Sequence, residues 1–254
     1  MFRNRLVTGA LGVLVVIAVT GCAAASPGDV QTPSDVGDGF LCGGVPISRE
    51  ALEARVPVEA IGDQGRIALS DAVRDDGSPL DLPPEEGWYV AVTTEDLVGV
   101  IRDVAVVADP VSGGIAPDHE VRTVTWVDDA NNLAPGWYVS QSGPCALTVD
   151  LGELTVPAVA LQVQPDPMSP ELHLLVTEQS CNGGEDAEGR VEVVSIDETA
   201  DRVSLVLGVR PRGGINACPS HPATPFTVTL SEPLGDREVV DAGLADPRQL
   251  TLDE

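Results

Sequence analysis

RVEVVSIDETADRVSLVLGV, residues 190–209, holds two valine-rich runs, 190–196 and 202–209, parted by the polar stretch Asp197-Glu198-Thr199-Ala200-Asp201. Short apolar runs rich in β-branched residues and bounded by turn formers read as strands. The pattern recurs on both sides, at 156–163, 171–178 and 225–230, with a short late run at 238–240. No convincing helix interrupts them. Six short strands over about a hundred residues are the signature of an antiparallel sandwich, so residues 153–254 are expected to form an all-β, immunoglobulin-like domain.

Residues 40–152 read differently. Ser48 is placed as an N-cap, with Ile47 and Leu52 as a hydrophobic staple and Pro57 beyond the end, which predicts a short helix over 49–55. A second helix is expected over 64–74, opened by Asp63 and stopped by Gly77, with Ala68, Leu69, Ala72 and Val73 on one face. After Asp81 the period changes. Runs at 87–94, 97–108, 121–127, 136–141 and 146–149 are rich in valine and aromatics and are separated by Gly, Pro and Asn. They predict strands, making this part a small α+β domain and the whole chain mostly β.

The amino-terminal end carries Arg3 and Arg5, then an apolar run over 6–18, then Val19-Thr20-Gly21-Cys22. A basic start, a short apolar segment and small residues before a cut describe a secretory signal. The run is too short for a retained span, which needs about 20 apolar residues. Val19 to Cys22 resembles the lipobox of bacterial lipoproteins. The resemblance implies cleavage after Gly21 and a diacylglyceryl group on the sulfur of Cys22. The mature chain would then hang from the outer face of the cell membrane, with residues 1–21 as signal peptide. Residues 22–39, small, polar and proline-bearing, read as a flexible tether spanning roughly 20–25 Å.

Of the five cysteines, four remain once Cys22 is acylated: Cys42, Cys145, Cys181 and Cys218. An even number outside the cytoplasm points to disulfides, which four cysteines can form in three ways. Cys42–Cys145 with Cys181–Cys218 is preferred because it keeps each bridge inside one expected domain. In the chain-entropy picture such loops contribute about 4.7 and about 3.8 kcal/mol before native strain. Zinc, prompted by Cys181, Cys218 and His221, has little support, since no CxxC occurs and the chain has three histidines, His119, His173 and His221. The carboxy-terminal third, through SCNGG at 180–184, NACPSHP at 216–222 and EPLGDR at 232–237, resembles the cysteine-stapled β domain of uncharacterised actinobacterial secreted lipoproteins.

Net charge is −26, and loss of Arg3 and Arg5 with the leader leaves −28. Such a field repels phosphate backbones and anionic headgroups, so nucleic acid is not an expected partner and membrane contact is assigned to the lipid. All fourteen basic residues are arginine. Without lysine, Schiff-base chemistry and a Ser-Lys dyad are excluded.

Trp88, Trp126 and Trp137, with Tyr89 and Tyr138, are all the Trp and Tyr residues of the chain, and Gly-Trp-Tyr-Val occurs twice, at 87–90 and 136–139. On a strand face they could form a ligand platform for a sugar ring; in the blander reading they anchor a core. The acidic stretches 185–188 and 197–201 offer oxygens to calcium but lack the spacing of an EF-hand. His119-Glu120 begins like HExxH, but Thr123 stands where the second histidine must be. Ser140 replaces the first glycine of GxSxG before Ser142. No catalytic residue, cofactor or metal is therefore assigned. The sequence reads as a lipid-anchored binding or scaffolding protein facing another envelope protein or a cell-wall polymer. An envelope hydrolase with a non-local catalytic site is the alternative.

Overall fold

The computed structural model describes residues 39–74, 76–80, 87–106, 114–128, 133–214 and 216–253. The expected signal, Cys22 and all of the expected tether but Gly39 lie outside them. The chain is mostly β: among the described residues 45% lie in strands and 10% are helical, so sheets rather than helices carry the core.

β1 (Gly39–Cys42) and β2 (Val45–Ser48) open the described chain as a hairpin. Gly43 and Gly44 turn it at φ 58° and 84°, a region that favours glycine. The sequence reading placed the start of the folded part near Phe40 but did not identify this pair. α1 (Arg49–Ala54) follows, and the Ala51 amide donates to Ser48 Oγ at 3.1 Å, as the capping pattern requires. α2 covers Gly62–Asp71 and not 64–74. Asp63 lies inside its first turn, where it pairs with Arg66. The helix stops early because its expected last turn is taken into a sheet. Val73 N–H donates to Trp137 O at 3.1 Å and Val73 O accepts from Val139 N at 2.9 Å. Gly77 then serves the turn that follows, at φ 79°.

β3 (Tyr89–Thr93), β4 (Leu97–Asp103), β5 (His119–Val127) and β6 (Gly136–Cys145) form an antiparallel meander in that order. β4 ends at Asp103, short of the expected run to 108. β7 (Leu147–Val149) returns to β1, giving a second sheet of order β2-β1-β7. The alternation of β4 and β5 divides the meander's two faces. Val98, Val100 and Val124 join Ala68 and Leu69 of α2, whereas Ile101 and Val121 join Phe40, Ile47 and Leu147 of the small sheet.

The later strands are β8 (Ala158–Leu161), β9 (Glu171–Thr177), β10 (Val191–Glu198), β11 (Arg202–Val209), β12 (Thr224–Thr229), β13 (Glu238–Asp241) and β14 (Arg248–Gln249). They form two sheets, β12-β9-β8 and β10-β11-β13-β14. Leu172, Leu174 and Val176 of one sheet and Val203, Leu205, Leu207 and Val209 of the other belong to one buried cluster. This is the sandwich expected, with one departure: β11 and β13 run parallel. β14 lies beyond the last strand expected.

Cys42 is joined to Cys145 and Cys181 to Cys218, with Cα separations of 5.4 and 4.6 Å. The connection between β13 and β14 also reaches the first half. Val149 N–H donates to Gly243 O and Ala245 N–H to Leu147 O, both at 2.9 Å, so residues 243–245 extend the small sheet past β7.

Candidate functional site

β5 and β6 place Trp126 directly opposite Trp137. The rings meet edge to face, with centroids 5.6 Å apart and planes at 70°, a favoured aromatic geometry. Trp126 is further fixed by its indole N–H, which donates to Asp128 Oδ1 at 2.7 Å. Trp126 remains 38% exposed while Trp137 is 8% exposed. Gln64 and Ile67 of α2 and Glu95 of the β3–β4 turn complete a depression of about 410 Å³ around the pair. Ile67 is 54% exposed, an apolar side chain on the outer side of a helix whose Ala68 and Leu69 are buried. The turn that presents Glu95 is tied down on both sides of it. Thr94 Oγ1 donates to Asp96 Oδ1 at 2.8 Å, and Trp126 N–H donates to Asp96 O at 2.8 Å.

The other aromatics lie elsewhere, so the five do not make one platform. Trp88 is buried in the cluster under α2, with the guanidiniums of Arg102 and Arg122 at 4.9 and 5.7 Å from its ring. Glu120 bonds both arginines. Tyr89 points to the opposite face, where its hydroxyl donates to Asp103 Oδ1 at 3.1 Å and Arg55 covers its ring. Burial first, and then the charge of Asp103, raise the Tyr89 pKa well above its ordinary value. Tyr138 is half-buried, donating to Ala134 O at 2.9 Å. Strand alternation explains the split, since adjacent Trp and Tyr must face opposite ways.

A polar network that the sequence reading missed joins the two halves. His119 lies between two carboxylates, with Nδ1 2.6 Å from Asp118 Oδ1 and Nε2 3.3 Å from Asp103 Oδ1. Asp118 also accepts from Leu147 N–H at 2.9 Å and from Arg248 Nη2 at 2.6 Å. Burial would raise the Asp118 pKa, but the bonds from His119 and Leu147 and the charges of His119 and Arg248 outweigh it and hold it low. Asp103 is lowered in the same way, its burial outweighed by bonds from Arg55 and Tyr89. His119-Glu120 attracted notice only as a broken HExxH, and Asp118 not at all. Its partner Arg248 is 130 residues away, beyond any local motif.

The acidic stretches are engaged with arginines. Glu185 pairs with Arg212, and Glu198 accepts from Arg237 Nη1 and Ser231 N–H at 2.7 Å each. Among the described residues no group of three or more His, Cys, Asp and Glu is arranged to hold a metal ion. His173 lies exposed against Thr227 Oγ1 at 3.2 Å, and His221 lies in the stapled loop region near Cys218.

No protein-family model matches the chain, and no match was found among the curated proteins or the solved structures.

Proposed function

We propose that the chain is a lipid-anchored, extracytoplasmic binding or scaffolding protein of the cell envelope, attached through Cys22. The observation that carries this reading is Val19-Thr20-Gly21-Cys22 behind an apolar run and two arginines. Two disulfides support an oxidising compartment. No helix among the described residues is long and apolar enough to cross a membrane. Attachment would rest on acyl chains, each buried methylene contributing about 0.8 kcal/mol.

In this reading the His119 network ties the two halves of the chain together. His119 is held by two carboxylates that are themselves bonded to Arg55 and Arg248. The partner is then another envelope protein or a wall polymer, and the charge of the mature chain disfavours nucleic acid. Growth with radiolabelled palmitate tests the reading. The wild-type chain should carry label and sediment with membranes, and Cys22→Ala should lose both; an unlabelled wild-type chain in the soluble fraction would reject it.

A further inference from the structure

We propose that the depression formed by Gln64, Ile67, Glu95, Trp126 and Trp137 binds a pyranose ring without negative charge, as part of a glycan chain. This gives a ligand class to the envelope-binding reading and rests on that reading only for where the glycan is met.

Three observations carry it. First, Trp126 is held in place before any ligand arrives, through Asp128 on its indole N–H and Trp137 against its ring. A side chain fixed in advance loses little freedom on binding, which favours association. A fixed indole suits the C–H-bearing face of a sugar, because the apolar hydrogens of a pyranose meet the electron-rich ring face. Second, two polar side chains, Gln64 and Glu95, line the same depression as the indoles and Ile67. A sugar is apolar on its faces and hydroxylated at its edge. The Gln64 amide both donates and accepts, and the Glu95 carboxylate accepts. Third, Glu95 in the lining and Asp128 on the indole N–H are both acidic. Together with the net charge of the chain they select against uronates and phosphate-bearing polymers and tolerate hydroxyls or an amine.

Size favours a sugar over a protein. A stable protein interface buries about 800 Å² on each partner around several apolar anchors. Here one indole and one isoleucine stand exposed in a concavity of about 410 Å³, within the range of small-ligand sites.

The test is a titration of tryptophan emission with the full-length protein in detergent micelles. The probes are a neutral N-acetylglucosamine tetramer, its deacetylated cationic counterpart and an anionic galacturonate oligomer. Trp88 and Trp137 are 2% and 8% exposed, so the quencher-accessible emission comes from Trp126. The neutral or cationic tetramer should shift that emission and shield it from iodide, and the galacturonate should not. Trp126→Ala should weaken binding, followed by calorimetry, by roughly tenfold or more, with Trp126→Tyr intermediate and Trp88→Phe near wild type. Intact disulfides and an unchanged far-ultraviolet spectrum would show that Trp126→Ala is folded. No response to either uncharged or cationic sugar would overturn the proposal, as would equal affinity in folded Trp126→Ala, tighter binding of galacturonate, or capture of a protein alone. Palmitate labelling reads the anchor separately, so failure of the glycan site and failure of the envelope reading are distinguishable.

Discussion

Asp241 in β13 is buried, and its carboxylate accepts from Gly243 N–H at 2.8 Å. Burial pushes its pKa up to about 6, against smaller opposing effects from that bond and from Arg248. Because the folded value lies above the unfolded one, the native state binds the extra proton between pH 4 and 6. Stability from this residue is therefore full below about pH 4 and falls as pH rises to about 6, by on the order of 3 kcal/mol. Asp241→Asn keeps an acceptor for Gly243 and cannot ionise. Urea denaturation across this window should show a smaller decline for the variant than for wild type. Asp103, Asp118, Glu120 and Glu198 act oppositely. Their folded values are lowered, so the stability they give is present above the unfolded carboxylate range and is lost on acidification below it. Glu178 is another buried carboxylate, fully enclosed and gripped by both terminal nitrogens of Arg190 at 2.9 and 2.6 Å. Arg190→Met would strand that charge and should cost about 3–5 kcal/mol in denaturant titration, and adding Glu178→Gln should recover part of it.

At the scale of elements, β4 runs through the centre of the meander with Gly99 between two β-branched neighbours. A Cβ there would lie 2.8 Å from Val92 Cγ1 and 2.9 Å from Thr123 Cγ2. Gly99→Ala should destabilise by about 1–3 kcal/mol and lower the melting temperature, since both neighbours are stiff at χ1. The long strands were legible because valine-rich runs between turn formers carry a local signal; β11, at Arg202–Val209, coincides with the run expected. The first hairpin was not, because four-residue strands joined by Gly43-Gly44 are too short to show a period. The end of α2 was not, because the pull on Val73 comes from Trp137 and Val139, distant in sequence. The same limit applies to the site. Trp126 was among the aromatics singled out, but Gln64, Ile67 and Glu95 come from other elements and have no common motif with it.

In the whole molecule, Arg248 binds Asp118 and the carbonyl of Ala116 at 2.6 and 2.8 Å, holding the carboxy-terminal segment onto the first half beside the pairing of 243–245 with β7. Arg248→Met should speed amide hydrogen exchange at Val149 and Ala245 while leaving β9 and β11 protected; uniform exchange throughout would show that the clasp is not a local unit. The account's central claim is that this twice-stapled body stands outside the cytoplasm on an acylated Cys22. Intact-mass and peptide analysis of the protein isolated from its native membrane, alkylated without reductant, tests that most directly. The account predicts an amino terminus at Cys22 bearing diacylglyceryl, with Cys42, Cys145, Cys181 and Cys218 all protected from alkylation. A chain that retains residues 1–21, has an unmodified Cys22 and alkylates at the other four cysteines would contradict it.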